Sequence, residues 1–203
     1  MRLQQYLNEN ITTVEELNEL IHKNCKYYLK LTEGKYIFKR GMSGGIDTFG
    51  KKKVRQNRRP LGMEDRDFYK LNIWLDKNNH VRRDKAVIAT NITSTRSQFG
   101  EVYWMFPIGK FNYTWLKAND MNITDYSTGW DPTAVIEFFR FGEVRAELMT
   151  GNFEDYFTTN KNIKIAYRKE FEIWFNCKEY YYVKAKNYKW NKHTQTIRNT
   201  SSI

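Results

Sequence analysis

The chain has 203 residues, 40% hydrophobic and 16% aromatic, with 13 Phe, 14 Tyr and 6 Trp; this suits one domain with a real core and excludes global disorder. Its 34 Lys and Arg against 23 Asp and Glu give a formal charge of +11, which points to an anionic partner: nucleic acid, an anionic cofactor or an acidic protein surface. Two cysteines, Cys25 and Cys177, exclude a disulfide scaffold, and His22, His80 and His193 are too scattered for a metal set; no apolar run approaches the ~18 residues of a membrane span, and the N-terminal residues lack the apolar core of a signal peptide, so the expectation is a cytoplasmic protein with no membrane and no metal.

Residues 1–10 read as a short helix with Leu3, Tyr6 and Leu7 on one side. Thr13-Val14-Glu15-Glu16 is a capping box, and apolar residues recur at Val14, Leu17, Leu20, Ile21, Tyr27 and Tyr28, predicting a helix that stops before Gly34. Residues 1–34 are therefore expected to be helical scaffold. Lys35–Arg40 reads as a strand running into the glycine-rich Gly41-Met42-Ser43-Gly44-Gly45. An arginine at a strand end before such a loop suits a phosphate, because the guanidinium forks onto its oxygens and glycines let backbone N–H groups approach.

The densest basic run follows, with Lys51, Lys52, Lys53, Arg55, Arg58 and Arg59 before Pro60. Its composition predicts a solvated, mobile segment, and Lys53, Arg55, Arg58 and Arg59 are candidate contacts for a substrate or nucleic acid. Phe68, Leu71, Trp74 and Leu75 predict an amphipathic helix over about 64–77. Lys85–Thr90 is a short apolar strand ending in polar residues, with a capped turn and short helix expected near Ser97-Gln98-Phe99-Gly100. Glu101–Pro107 and Asn112–Leu116 predict strands. Asn119–Gly129 reads as loop, Asp131-Pro132 as a helix start running to Phe141, and 145–157 as a second helix. Lys161–Ala166 is expected to be loop or short strand, and Glu179–Ala185 the last strand. The tail 186–203 is basic and polar and is expected to be partly disordered. No repeat or linker divides the chain, so 1–203 is one domain with its core over 35–185.

Between these lies Glu170-Phe171-Glu172-Ile173-Trp174-Phe175. As a strand it sends Phe171, Ile173 and Phe175 to the core and Glu170, Glu172 and Trp174 to the opposite face. Alone it reads as an amphipathic strand with a polar outer face. Taken with Arg40 at one strand end and Thr90 at another, upstream and in this order, it resembles the Arg–Ser/Thr–Glu class of ADP-ribosyltransferases with a Glu-x-Glu motif. The stretch ending Arg58-Arg59-Pro60 is similar to one found in phage-encoded members. The register departs from the family pattern in two places: Ala89 stands where a Ser is common, and Lys39 separates Phe38 from Arg40. Thr90 is the hydroxyl chosen, with Ser94 and Thr95 as the alternative.

The resemblance implies an α+β fold, a split β-sandwich of two small sheets packed about perpendicular with flanking helices. It implies NAD as ADP-ribose donor and a macromolecular acceptor, leaning to protein arginine on a host protein, with nucleic acid or a nucleic-acid-bound complex as another choice. By the same resemblance Arg40, with Gly41, binds the pyrophosphate or adenosine side of NAD. Thr90 holds the catalytic Glu and the nicotinamide ribose by hydrogen bonds, and Asn91 also contacts the cofactor. Glu172 stabilises positive charge as nicotinamide leaves, Glu170 accepts the acceptor's proton, and Phe99, Tyr103 or Trp104 stacks on nicotinamide. The competing expectation is a basic nucleic-acid-binding protein without catalysis, resting on the charge, the basic run and the aromatics.

Overall fold

The computed structural model describes residues 11–43, 47–59, 65–91, 100–116 and 157–200. The helices expected over 1–10, near Ser97, from Asp131 and over most of 145–157, and the loop 119–129, lie outside the described residues. The fold is α+β, with few helices and antiparallel sheets.

Helix α1 (Val14–Asn24) starts where the capping signal puts it, with Thr13 Oγ1 accepting from Glu16 N at 3.1 Å. The Glu16 carboxylate accepts from Thr12 N, one residue earlier than an ideal capping box. Leu17 and Ile21 face the core. The chain breaks at Cys25 and resumes as α2 (Lys26–Leu31), so the predicted single helix is two.

One sheet has strand order β1-β4-β8-β2, from β1 (Lys39–Met42), β4 (Glu101–Pro107), β8 (Glu179–Lys184) and β2 (Phe49–Lys53). The other has order β3-β7-β5-β6, from β3 (Val87–Ala89), β7 (Ile173–Asn176), β5 (Asn112–Leu116) and β6 (Phe157–Thr159). Lys39 and Thr90 join the sheets through a bridge, Lys39 N donating to Thr90 O at 2.7 Å and Thr90 N to Lys39 O at 2.9 Å. Phe175 sits among Tyr28, Phe38, Phe111 and Tyr113, ring centroids 5.5–6.2 Å away. This aromatic packing fastens the second sheet to α2 and the chain entering β1. The opposite face of that sheet carries Trp174 and Phe157, which pack towards Trp74 of α3 (Asp65–Lys77).

Several expectations are corrected. Strand β1 begins at Lys39 rather than Lys35 and includes Gly41, because the Phe38 N–H is taken by the Tyr28 hydroxyl at 2.9 Å. The basic run does not float: Lys51–Lys53 form most of β2, paired with Tyr181–Glu179 of β8, and Val54 N donates to Lys178 O. Its β-compatible spacing beside Phe49 outweighs charge repulsion once the centre of the sheet offers partners. Ile163–Arg168 is helix α4, not loop or strand, because Ile163 and Ala166 bury one face at helical spacing. The tail is ordered as the hairpin β9 (Tyr188–Asn191) and β10 (Thr196–Asn199). Its anchors are single residues that a composition count overlooks. Ile197 is buried, its N–H and C=O both bonded to the Asn18 side chain, and Trp190 Nε1 donates to Gly34 O.

Candidate functional site

Glu172 immediately precedes β7 and is only 2% exposed. Its Oε1 accepts from Trp174 Nε1 at 2.5 Å and lies 3.2 Å from a terminal nitrogen of Arg83. Among the described residues its buried Oε2 has no hydrogen-bond partner. Residues 172 and 174 share a strand face, which brings the indole beside the carboxylate. A buried carboxylate oxygen left unsatisfied is costly in a folded chain.

Arg83 is aimed by its own turn. It lies in a short 3-10 helix, Arg83–Lys85, between α3 and β3. Arg82 forks onto the Asp84 carboxylate at 3.0 and 2.7 Å, and Asn72 of α3 accepts from Asp84 N at 3.0 Å. With Asp84 occupied, Arg83 turns inward, its guanidinium 5.8 Å from the Trp174 ring centroid. Among the described residues its buried Nε has no hydrogen-bond partner.

The basic strap reaches the same place from the other sheet. Arg58 N donates to Asp84 O at 3.1 Å and its Nη1 to Ala86 O at 3.2 Å, just before β3. Burial pulls the Arg58 guanidinium down to about 10, and the positive charges of Arg40 and Arg83 push the same way, while Glu172 and Tyr180 oppose. Arg40, on β1 opposite Tyr103 of β4, is likewise lowered, by burial first, and its buried Nε has no hydrogen-bond partner among the described residues. Arg83 thus touches the carboxylate, Arg58 feels its charge, and Arg40 lies within the electrostatic reach of Arg58.

Of the residues expected at a site, the fold puts Arg58 within electrostatic reach of both Arg40 and Glu172 and puts Thr90 at the joint between the sheets. Thr90 Oγ1 donates to Glu170 O at 3.1 Å, and Asn91 Nδ2 to Tyr167 O at 3.2 Å, so both tie β3 to α4 and the turn that follows it. Glu170 does not share a strand face with Glu172. It lies in that turn with a left-handed φ of 59° and is exposed, because α4 continues to Arg168 and leaves no room for strand before Phe171. Gly41 lies inside β1, paired with Val102, not in a loop. Tyr103 is fully buried with its ring edge-on to Tyr182, which makes it a core residue rather than a stacking platform. Trp104 is half-buried beneath Lys39 Nζ. Phe99 lies outside the described residues. Lys53, Arg55 and Arg59 are exposed; Arg58, grouped with them in the sequence, is not.

Arg83 was the omission. The available signal was the pair Arg82-Arg83 before an apolar strand, with one acid, Asp84, to serve two cations. Among the described residues no cluster of His, Cys, Asp or Glu could hold a metal ion, and no helix is long and apolar enough to cross a membrane. Comparison with protein-family models, curated proteins and solved structures gave no match.

Proposed function

We propose that this protein is an NAD-dependent mono-ADP-ribosyltransferase, that its two sheets form the split β-sandwich of that class, and that Glu172 is its central carboxylate. The observation that carries this reading is the buried Glu172 side chain, fixed through one oxygen and open at the other, beside arginines where the two sheets are joined. In this reading the reaction breaks the bond between the ribose C1′ and the nicotinamide nitrogen. Nicotinamide leaves with the bonding electron pair, and positive charge develops on the ribose. A preorganised carboxylate in a water-poor setting stabilises that charge strongly, the same device used by glycosidases. The Oε2 atom of Glu172 is the group available for the ribose.

An acceptor nucleophile then bonds to C1′ and gives up its proton. Glu170 suits that proton, since a general base must reach the incoming group, and an exposed carboxylate on a turn faces arriving macromolecules. Thr90 holds that turn in place through the Glu170 carbonyl. The free thiols Cys25 and Cys177 accord with action in a reducing cytoplasm, that of a host if the gene is phage-borne.

The test is incubation of the purified chain with tagged NAD and a bacterial lysate, beside Glu172→Gln. Label transfer or nicotinamide release that disappears in the variant is the expected result. NAD left intact by the wild-type chain in the presence of lysate would sink the proposal.

A further inference from the structure

A cleft of about 500 Å³ opens beside Asn176, at the end of β7 remote from Glu172. Its size suits a small ligand. Its walls are the C-terminal turn of α3, the segment from Val81 to Lys85, and the ends of β5, β6 and β7. A chain of hydrogen bonds fixes one wall. Val81 N donates to Thr114 Oγ1 at 2.8 Å, the Thr114 and Thr159 hydroxyls are 2.6 Å apart, and Thr159 Oγ1 is 2.8 Å from His80 Nδ1. The Val81 N–H can only donate, and Thr114 is fully buried. One direction alone therefore gives every proton an acceptor: Thr114 donates to Thr159, and Thr159 to His80 Nδ1. An imidazole that accepts at Nδ1 carries no charge.

The other charges in the cleft cancel. Arg82 is engaged by Asp84 at 3.0 and 2.7 Å, which leaves one carboxylate, Asp76, and one ammonium, Lys85. An anion would meet Asp76 and the negative C-terminal end of α3; a cation would meet Arg82 and Lys85. The rest of the polar lining is side-chain amide, from Asn79, Asn112, Asn160 and Asn176. Asn160 is held in place, its Oδ1 accepting from Tyr113 N at 2.9 Å and its Nδ2 donating to Asn112 Oδ1 at 3.0 Å. That occupies the Asn112 oxygen and leaves its NH2 group to donate. An amide both donates and accepts, and the ligand group that does both from one atom is a hydroxyl. Among the described residues no Phe, Tyr or Trp lines the cleft, and the His80 ring already has Trp74 and Phe157 against it, centroids 5.6 and 5.4 Å away. A nucleobase therefore finds no face to stack on. We propose that this cleft binds a neutral polyhydroxyl ligand, a mono- or disaccharide, with Asp76 and the Asn112, Asn160 and Asn176 amides on its hydroxyls. The site is independent of the chemistry at Glu172.

The test is titration of the isotope-labelled full chain with glucose, galactose, maltose and lactose, read by NMR at the asparagine side-chain amide signals. At least one of these sugars is expected to shift the Asn112, Asn160 and Asn176 signals saturably. Asp76→Ala should weaken that binding ~10-fold or more, as for loss of a hydrogen bond to a charged group, and Asn176→Leu ~5-fold. Both side chains are exposed, so both variants should keep the fold, and neither should alter NAD turnover. No shift with any of the sugars, shifts that spare these asparagines, or binding undiminished in both variants overturns the proposal. So does a response to AMP and to none of the sugars. Sugar binding by a chain that leaves NAD intact supports the site and counts only against the transferase reading.

Discussion

Trp174 Nε1 stands 2.5 Å from Glu172 Oε1, the indole donating to the carboxylate two residues before it on the same strand face. The pair is buried, Trp174 at 1% and Glu172 at 2% exposure, so no water takes over if the donor is lost. The indole also carries the Arg83 guanidinium on its ring and touches Phe157, which makes it both donor and wall.

Trp174→Phe separates those two duties. An aromatic ring stays against Arg83 and Phe157, while the N–H and the volume of the pyrrole ring go, and Glu172 keeps Arg83. A hydrogen bond to a charged group is worth about 2 kcal/mol, and stability should fall by about that much in urea unfolding. NAD turnover should drop ~10-fold with KM little changed, because carboxylate placement is needed most as the bond breaks. Equal losses in kcat and affinity would instead mark Trp174 as a wall alone.

Glu172→Ala and Glu172→Gln should differ sharply in stability. The alanine leaves Arg83 buried without its counter-charge, and breaking a buried pair costs about 3–5 kcal/mol. Glutamine keeps an oxygen for Trp174 and for Arg83, and should fold with a far smaller loss. Both should be inactive, but only glutamine reports on chemistry. Melting curves of the two proteins side by side make the comparison; coincident curves would show that the carboxylate's charge is not needed by Arg83.

Glu170→Ala should leave the fold intact, since the side chain is exposed and the Thr90 bond is to its carbonyl. Transfer to a macromolecule should fall at least ~10-fold, the low end for loss of a general base, while NAD hydrolysis by water changes less. The assay is label transfer against nicotinamide release in one reaction. Parallel decline in both would remove the acceptor role from Glu170.

How much of this could be read in advance depends on whether the signal was local. Strands β4 and β5 match their predicted limits, because each is bounded by turn residues and both are rich in aromatic β-formers. Thr90 stands just after a strand as its sequence suggests, whereas Arg40 lies near the start of β1 rather than at a strand end, and Glu172 just before β7 rather than within a strand. Glu170 was misplaced because alternation continued on paper through residues that the α4 C-terminus claims. The strap was misread because a run of cations looks solvated until Val54 and Arg58 are seen to be anchored by Lys178 and Asp84. Arg83 is only half legible: the Arg82-Arg83-Asp84 run leaves one cation over, but its partner is a carboxylate 89 positions later in the chain.

Alkaline pH should loosen the fold before any surface group explains it. Burial pushes the Cys177 thiol up to about 12 and Cys25 higher still, and Tyr113 to about 12. The unfolded thiols release protons near 9.0, so the unfolded state gains from rising pH while the native state does not. Stability is then whole below pH 9 and falls above it, by up to ~1.4 kcal/mol per pH unit for each thiol. Arg58 acts with the opposite sign, but only above about 10. Urea midpoints between pH 8 and 10 should show the decline, and Cys25→Ala with Cys177→Ala should flatten it. A wild-type profile already flat over that range would reject it.

Both sheets are completed by late-arriving strands. β8 lies between β4 and β2, β7 lies between β3 and β5, and the two are neighbours in the chain over Ile173–Lys184. A ribosome must therefore emit more than four-fifths of the sequence before either sheet can be assembled, and Glu172 emerges at that same moment. Long-range pairing of this kind folds slowly, and a half-made chain has neither the Glu172 carboxylate nor the walls around it until the two sheets close together.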